Sequence, residues 1–155
     1  MGIATSETDI RDSRLAATLQ VWRTLCGTRF APTRHDIAPA DFRQMLGRLA
    51  LVDIVPGETG PARYRYRLMG TRLAAQDAVD LTSKRLSDHP NADQRAIVQA
   101  AFDAACQTRR PVYREDVRQD GNRRNTYARL VLPLSDDGQT VTGLLLGRVV
   151  LSRAP

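Results

Sequence analysis

The chain has 155 residues, 42% of them apolar and 26% charged, the composition of one soluble domain with its own core, which excludes a disordered, collagen-like or disulfide-stapled chain. A net charge of +6 invites an acidic partner, yet Lys84 is the only lysine among 23 basic residues and the arginines are scattered along the whole length, so nucleic-acid binding is not expected. No apolar run reaches the roughly 18–20 residues of a membrane span, and Glu7, Asp9 and Asp12 stand where a signal peptide would be basic and then greasy, so a cytoplasmic location is expected.

From Ser6 to about Thr28 the pattern is helical, with Leu15, Leu19, Trp22 and Cys26 on one stripe. Ser6 or Thr8 is a suitable N-cap, Glu7, Asp9 and Asp12 suit the positive end of the helix, and Gly27 is a stop. The stripe has to be covered by the chain's own sheet or by a second protomer, and a homodimer interface through these four residues is expected. Residues 1–28 thus read as an amphipathic helix ahead of a domain over 29–155. A connector with Pro32 and Pro39 leads into a short helix over 40–46, ended by Gly47.

Residues 49–55 form an apolar run broken only by Asp53 and read as a central strand. After a turn at 56–61, Tyr64, Tyr66 and Leu68 point one way while Arg63, Arg65 and Arg67 point the other. The two strands make a hairpin with the arginines at an edge, where charge blocks unwanted pairing. Short helical pieces follow over 71–76 and 83–88. Asn91 then caps a stronger helix to about Thr108, whose apolar face is Ile97, Val98, Ala101, Phe102, Ala105 and Cys106. Three strands close the chain, over 112–119, 125–134 and 141–152, joined by turns at Asp120-Gly121-Asn122 and 135–139. Two strands, a helical crossover and a three-stranded meander define an α+β domain with an antiparallel sheet.

Several segments occur together in a telling order: Trp22 and Gly27, Pro32-Thr-Arg-His-Asp-Ile37 with Pro39, Leu51-Val-Asp53, Tyr66-Arg67-Leu68-Met-Gly70-Thr71, Asp80-Leu81-Thr82, and Leu132-Pro133-Leu134-Ser135 before Asp137-Gly138. This set resembles the PAS-like domains of the stand-alone bacterial PAS_5 class over about residues 19–150. The resemblance implies a five-stranded sheet in the order 2-1-5-4-3, helices over one face with an extra N-terminal helix, and a sensory or signalling module whose output passes through a separate protein. One departure is Ser83, where the family pattern leads one to expect glycine after Asp-Leu-Thr, so a different local backbone is expected there.

A PAS sheet and its helices enclose a cavity that holds a small ligand in some relatives. Alternation and helix phase place Tyr64, Tyr66, Phe102, Cys106, Leu130, Leu132, Leu144 and Leu146 around it. The same stripes also read as a filled core. Haem would want a proximal histidine, and His89 lies just ahead of the helix, where a turn or capping role is expected instead. No Asn-Cys flavin-adduct motif is present, and Cys106 sits late in the wrong helix, so neither haem nor flavin is expected. Cys26 and Cys106 lack ligand spacing and read as small buried hydrophobes, and no metal site is expected.

Two other readings compete. Arg123-Arg124 with Arg129, and Ser135-x-x-Gly138, imperfectly resemble the two motifs of cyclic-dinucleotide-binding PilZ domains, which would make Arg123 and Arg124 an anionic-nucleotide site. A small isomerase or hydratase using Asp53, Asp77, Asp80 or Asp116 as acid or base would need a carboxyl of raised pKa facing an apolar pocket. No Gly-rich phosphate loop, G-x-S-x-G elbow or H-E-x-x-H is present, so an enzyme is not the expected outcome.

Overall fold

The structure, a computed structural model, describes residues 2–5 and 9–154. Six antiparallel strands, β1 (Gly2–Thr5), β2 (Leu49–Ile54), β3 (Tyr64–Met69), β4 (Val112–Asp120), β5 (Arg123–Leu134) and β6 (Gly143–Ala154), form one sheet in the order β1-β4-β5-β6-β2-β3. The last strand returns beside β2, pairing Leu49 with Gly147 through to Asp53 with Gly143. The strands from β2 onward therefore take the expected order 2-1-5-4-3.

β1 is an addition to that plan, extending the sheet beyond β4 by pairing Gly2 with Asp116 through Thr5 with Tyr113. The first helix starts later than its periodicity suggests. α1 spans Ser13–Cys26, with Asp12 as its N-cap accepting from the Arg14 and Leu15 amides at 2.8 and 3.3 Å. The caps expected from sequence, Ser6 and Thr8, lie outside the described residues together with Glu7. Asp12 terminates the helix because its short carboxylate binds the first free amides directly, a stronger constraint than a favourable position along the dipole.

The crossover helices lie over one face of the sheet, as expected, and the extra N-terminal helix covers the other. On one side the α1 residues Leu15, Leu19, Trp22 and Cys26, with Phe42 and Met45 of the 3₁₀ segment Pro39–Met45, pack on Tyr113, Leu130, Leu132, Leu134 and Leu145. On the other side α2 (Thr71–Asp77) and α3 (Ala92–Thr108) lie over Tyr64, Tyr66, Val131, Leu144 and Leu146. Being buried twice over, β5 and β6 are apolar at consecutive positions, as strands covered on both faces must be. β4 begins at Val112, opposite Val131, and does not extend further along β5. Pro133 therefore lies in β5 beyond the reach of that neighbour, and its carbonyl instead accepts from Trp22 Nε1 at 2.8 Å.

The β2–β3 hairpin carries a bulge: Leu51 faces Leu68, but the next residue, Val52, faces Tyr66. The extra residue reverses the strand's phase, so Leu68 is 52% exposed while Met69 is buried, against the simple alternation of Tyr64, Tyr66 and Leu68. The 83–88 segment is helical only at Leu86–Asp88. Its first part covers the β3 edge instead, Ser83 N donating to Tyr66 O and Tyr66 N to Lys84 O, both at 2.8 Å. Ser83 has φ +66°, the left-handed conformation that glycine adopts most readily, so the backbone keeps the shape the family pattern implies although the residue differs.

α2 is docked by its start. Gly47 O accepts from Arg72 N and Leu73 N at 2.9 and 3.2 Å, and a Cβ on Gly70 would lie 2.4 Å from that same oxygen. Only glycine permits the approach, which in turn fixes where the far end of α2 delivers Asp77.

Candidate ligand site beneath α2 and α3

Tyr64, Tyr66, Phe102, Leu144 and Leu146 meet in the core between the sheet and α3, with Cys106 half-buried beside them. The Tyr64 and Phe102 rings stand edge to face at 5.0 Å between centroids, and Tyr66 lies 6.3 Å from Phe102. The Tyr64 hydroxyl donates to Asp103, and burial, followed by that carboxylate, pushes the phenol well above its ordinary value. Leu130 and Leu132 do not join this group. They face α1, and Val131 takes the α3 side in their place. With both faces of β5 apolar, hydrophobicity carries no phase, and the register flips by one residue. Leu15, Leu19, Trp22 and Cys26 are buried against the chain's own sheet, so this stripe offers no free surface for a second protomer.

Below the aromatic residues the same face turns polar. Alternation along β4 aims Arg114, Asp116 and Arg118 inward, opposite Arg129, Tyr127 and Asn125 of β5, and Arg148 of β6 pairs with Arg129. α2 brings Gln76 and Asp77 onto this group, and the turn before α3 brings His89. Asp77 Oδ1 accepts from Arg118 Nη1 and Arg148 Nη2, each at 2.8 Å, and Oδ2 accepts from Arg148 Nη1 at 3.2 Å. Arg118 also donates to Asp120 at 2.7 Å, to the Tyr127 hydroxyl at 2.7 Å and to Gln76 O at 3.0 Å, while Arg148 donates to Gln76 Oε1 at 3.0 Å. Both guanidinium groups lie over the Tyr127 ring, at 4.4 and 5.1 Å. A second pair, Arg129 and Asp116 at 3.0 Å, has both side chains 1% exposed.

Burial by itself would raise the Asp77 carboxyl. His89, Arg148 and Arg118 outweigh it and hold Asp77 well below the ordinary carboxylate range. Burial pulls the Arg129 guanidinium below its usual value, with Asp116 opposing. His89 has the turn role expected of it, its Nδ1 accepting from Asn91 N at 3.1 Å, which puts the ring proton on Nε2, 3.7 Å from Asp77 Oδ2. Despite these contacts the cluster is incompletely satisfied. Arg114 Nε, Arg129 Nε, Arg148 Nε, His89 Nε2 and Asp116 Oδ2 are buried with no hydrogen-bond partner, whereas nearly all buried polar atoms have one.

The remaining candidates are dispersed. Arg123 and Arg124 are exposed at the β4–β5 turn. Asp53 pairs with Arg67 at 2.8 Å, and Asp80 accepts from the Thr82 amide at 3.0 Å. Asp77, drawn downward, has the opposite of the raised carboxyl that acid–base catalysis would need. Among the described residues no group of three or more His, Cys, Asp or Glu side chains is arranged to hold a metal ion, and no helix is long and apolar enough to cross a membrane. A flavin-adduct chemistry does not fit these residues: Cys26 belongs to α1 and packs on the opposite face of the sheet, burial pushes the Cys106 thiol up, and aromatic side chains fill the space beneath α3.

A five-stranded core in the order 2-1-5-4-3, with a helical crossover over one face, defines a PAS-like α+β domain. The chain belongs to the PAS domain family, whose PAS_5 profile matches residues 10–147. Such domains are typically sensory modules. No curated protein matches the sequence. Among solved structures the chain is similar to a light-oxygen-voltage domain studied with a flavin analogue, at 12% identity and TM-score 0.43 over 68% of this chain and 77% of that one. It is also similar to an RNA-binding light-oxygen-voltage receptor, at 12% identity and TM-score 0.46, over 97% of this chain but only 38% of that one.

Proposed function

We propose that this protein is a cytoplasmic sensory module that takes up a small polar ligand on the α3 face of its sheet and passes the signal to a separate output protein. The observation that carries this reading is the buried arginine–aspartate cluster with its unpartnered Arg114, Arg129 and Arg148 Nε atoms. Buried ion pairs are commonly no better for stability than well-packed apolar side chains, so an incompletely paired cluster in a core is more readily understood as serving recognition. Its free donors suit acceptor oxygens, such as those of a carboxylic acid. No reaction is assigned, since Asp77 is held ionised between two arginines.

A partner, including a second copy, is assigned to a different surface from the α1 stripe. Leu46 and Leu68, 59% and 52% exposed, flank an apolar hollow of about 140 Å³ that also involves Ile37, Leu49 and Leu51. Native mass spectrometry of freshly purified protein, with an absorption spectrum alongside, tests the ligand. The expected result is a small bound mass released on denaturation. A chain that purifies empty, and whose melting temperature does not move with short mono- and dicarboxylates, would overturn the reading.

A further inference from the structure

A groove of about 310 Å³ lies between the end of β6, α1 and α2, outside the site beneath α3. Arg14, Arg48, Arg72 and Arg153 line it, with Gln76 and Ser152. The only carboxylate bound to any of the four arginines among the described residues is Asp12, which Arg14 holds through Nε and Nη2 at 3.1 and 2.8 Å. Arg48, Arg72 and Arg153 have no carboxylate within salt-bridge distance among those residues. Elsewhere the chain supplies acids freely: Arg11 has Glu115, Arg29 has Asp36, Arg67 has Asp53, Arg85 has Glu58, and the buried Arg118, Arg129 and Arg148 have Asp77 and Asp116. Burial, then the neighbouring charges of Arg72 and Arg14, draws the Arg48 guanidinium below its ordinary value, a sign that the three lie close enough to repel one another.

The charged side chains of the lining are all donors. Gln76 gives its side-chain oxygen to Arg148 and its backbone oxygen to Arg118, which leaves the amide nitrogen as the part free to bind. Three guanidinium groups that have no carboxylate partner among the described residues match the charge of a diphosphate, and their planar forks match its oxygens. The volume is at the lower end of small-molecule pockets, and the site is a bounded concavity between secondary-structure elements, which favours a compact anion over a polymer backbone.

We propose that this groove binds a diphosphate group, free or carried by a nucleoside, through Arg48, Arg72 and Arg153 with Gln76. Because Gln76 also belongs to the network around Asp77, occupancy of the groove would bear directly on the interior cluster. The proposal stands apart from ligand binding beneath α3, and either can fail alone.

The test is thermal unfolding and calorimetric titration of the full chain with inorganic pyrophosphate and, separately, ATP, at constant ionic strength and with sulfate as control. Pyrophosphate at about a hundred times its dissociation constant should raise the melting temperature by roughly 5–10 °C. A larger effect of ATP would identify the nucleoside as part of the ligand, and equal effects would identify the diphosphate alone. Arg72→Gln and Arg153→Gln, both at exposed positions, should each weaken binding about tenfold or more, while Arg65→Gln on the distant edge strand should not. An equal response to sulfate, or unchanged binding in the Arg72→Gln/Arg153→Gln double variant, overturns the proposal. So does the absence of any pyrophosphate response alongside tight, salt-sensitive duplex RNA binding that the double variant loses.

Discussion

Replacing Asp77 with asparagine keeps the shape of the side chain and removes the charge on which the interior cluster converges. Arg118 would still have Asp120, the Tyr127 hydroxyl and Gln76 O. Arg148, its side chain 3% exposed, would keep Gln76 Oε1, the face of Tyr127 and at most one neutral amide oxygen in place of the carboxylate, while the new amide nitrogen would point a donor at a guanidinium group. Stranding one member of a buried pair costs about 3–5 kcal/mol, which for a chain of this size lowers the melting temperature by about 6–20 °C. The sign of the pH dependence follows from the depressed Asp77 carboxyl. Its stabilisation is complete above the unfolded value of about 3.9 and is lost as pH falls below it toward the folded value. Urea denaturation of both proteins should therefore give a gap that is full from about pH 5 upward and closes progressively below about pH 4. In the same series Arg148→Met should cost less in the Asp77→Asn background than in the wild type, because the two groups act as a pair. A gap below about 1 kcal/mol at pH 7, against the 3–5 expected, or one that stays constant on acidification, would refute this account of the cluster.

Three further outcomes follow from local geometry. Gly70→Ala places a methyl 2.4 Å from Gly47 O and 2.8 Å from Leu49 O, so the start of α2 has to move, and a loss of roughly 2 kcal/mol or more in chemical denaturation is expected; a variant as stable as wild type would show that the approach is not tight. Ser83→Gly removes the penalty of φ +66° and should stabilise by about 0.5–1 kcal/mol, less whatever chain entropy glycine adds to the unfolded state, so a destabilised variant would mean that the serine side chain matters more than its backbone. Leu68→Asp, at an exposed strand position, should change stability by about 0.5 kcal/mol or less and reduce any dimer to monomer in light scattering; an undiminished dimer would place the partner surface elsewhere.

The order of the sheet was legible because its signals are local and redundant. The turn at Asp120-Gly121-Asn122 pins the β4–β5 hairpin, and the apolar runs of β2 and β6 can be satisfied only as neighbours in the middle of a sheet. β1 was not legible, since Gly2–Thr5 is four residues long and its strand character comes from pairing with the free side of β4. The bulge opposite Leu51 left no mark on the Tyr64, Tyr66, Leu68 alternation, because an extra residue is visible only once the partner strand is known.

The inner phase of β5 and the interior cluster were missed for one shared reason. Placing Leu130 and Leu132 around the cavity puts Arg129 and Val131 on the opposite face by alternation, so the arginine leaves the interior together with the valine. The structure reverses all of these at once, with Arg129 only 1% exposed on Asp116. The contrary signal lay in the neighbouring strands. Arg148 interrupts the run from Leu144 to Leu151, and a charge in the middle of a strand covered on both faces must be paired. Arg114, Asp116 and Arg118 alternate in sign along one face of β4, the pattern of a strand that carries its own counter-ions inward. Together those positions require an acid from outside the sheet to balance Arg118 and Arg148. The element whose start is fixed by Gly47 and Gly70 supplies it as Asp77, which is why two glycines on one side of the molecule govern the electrostatics of the other.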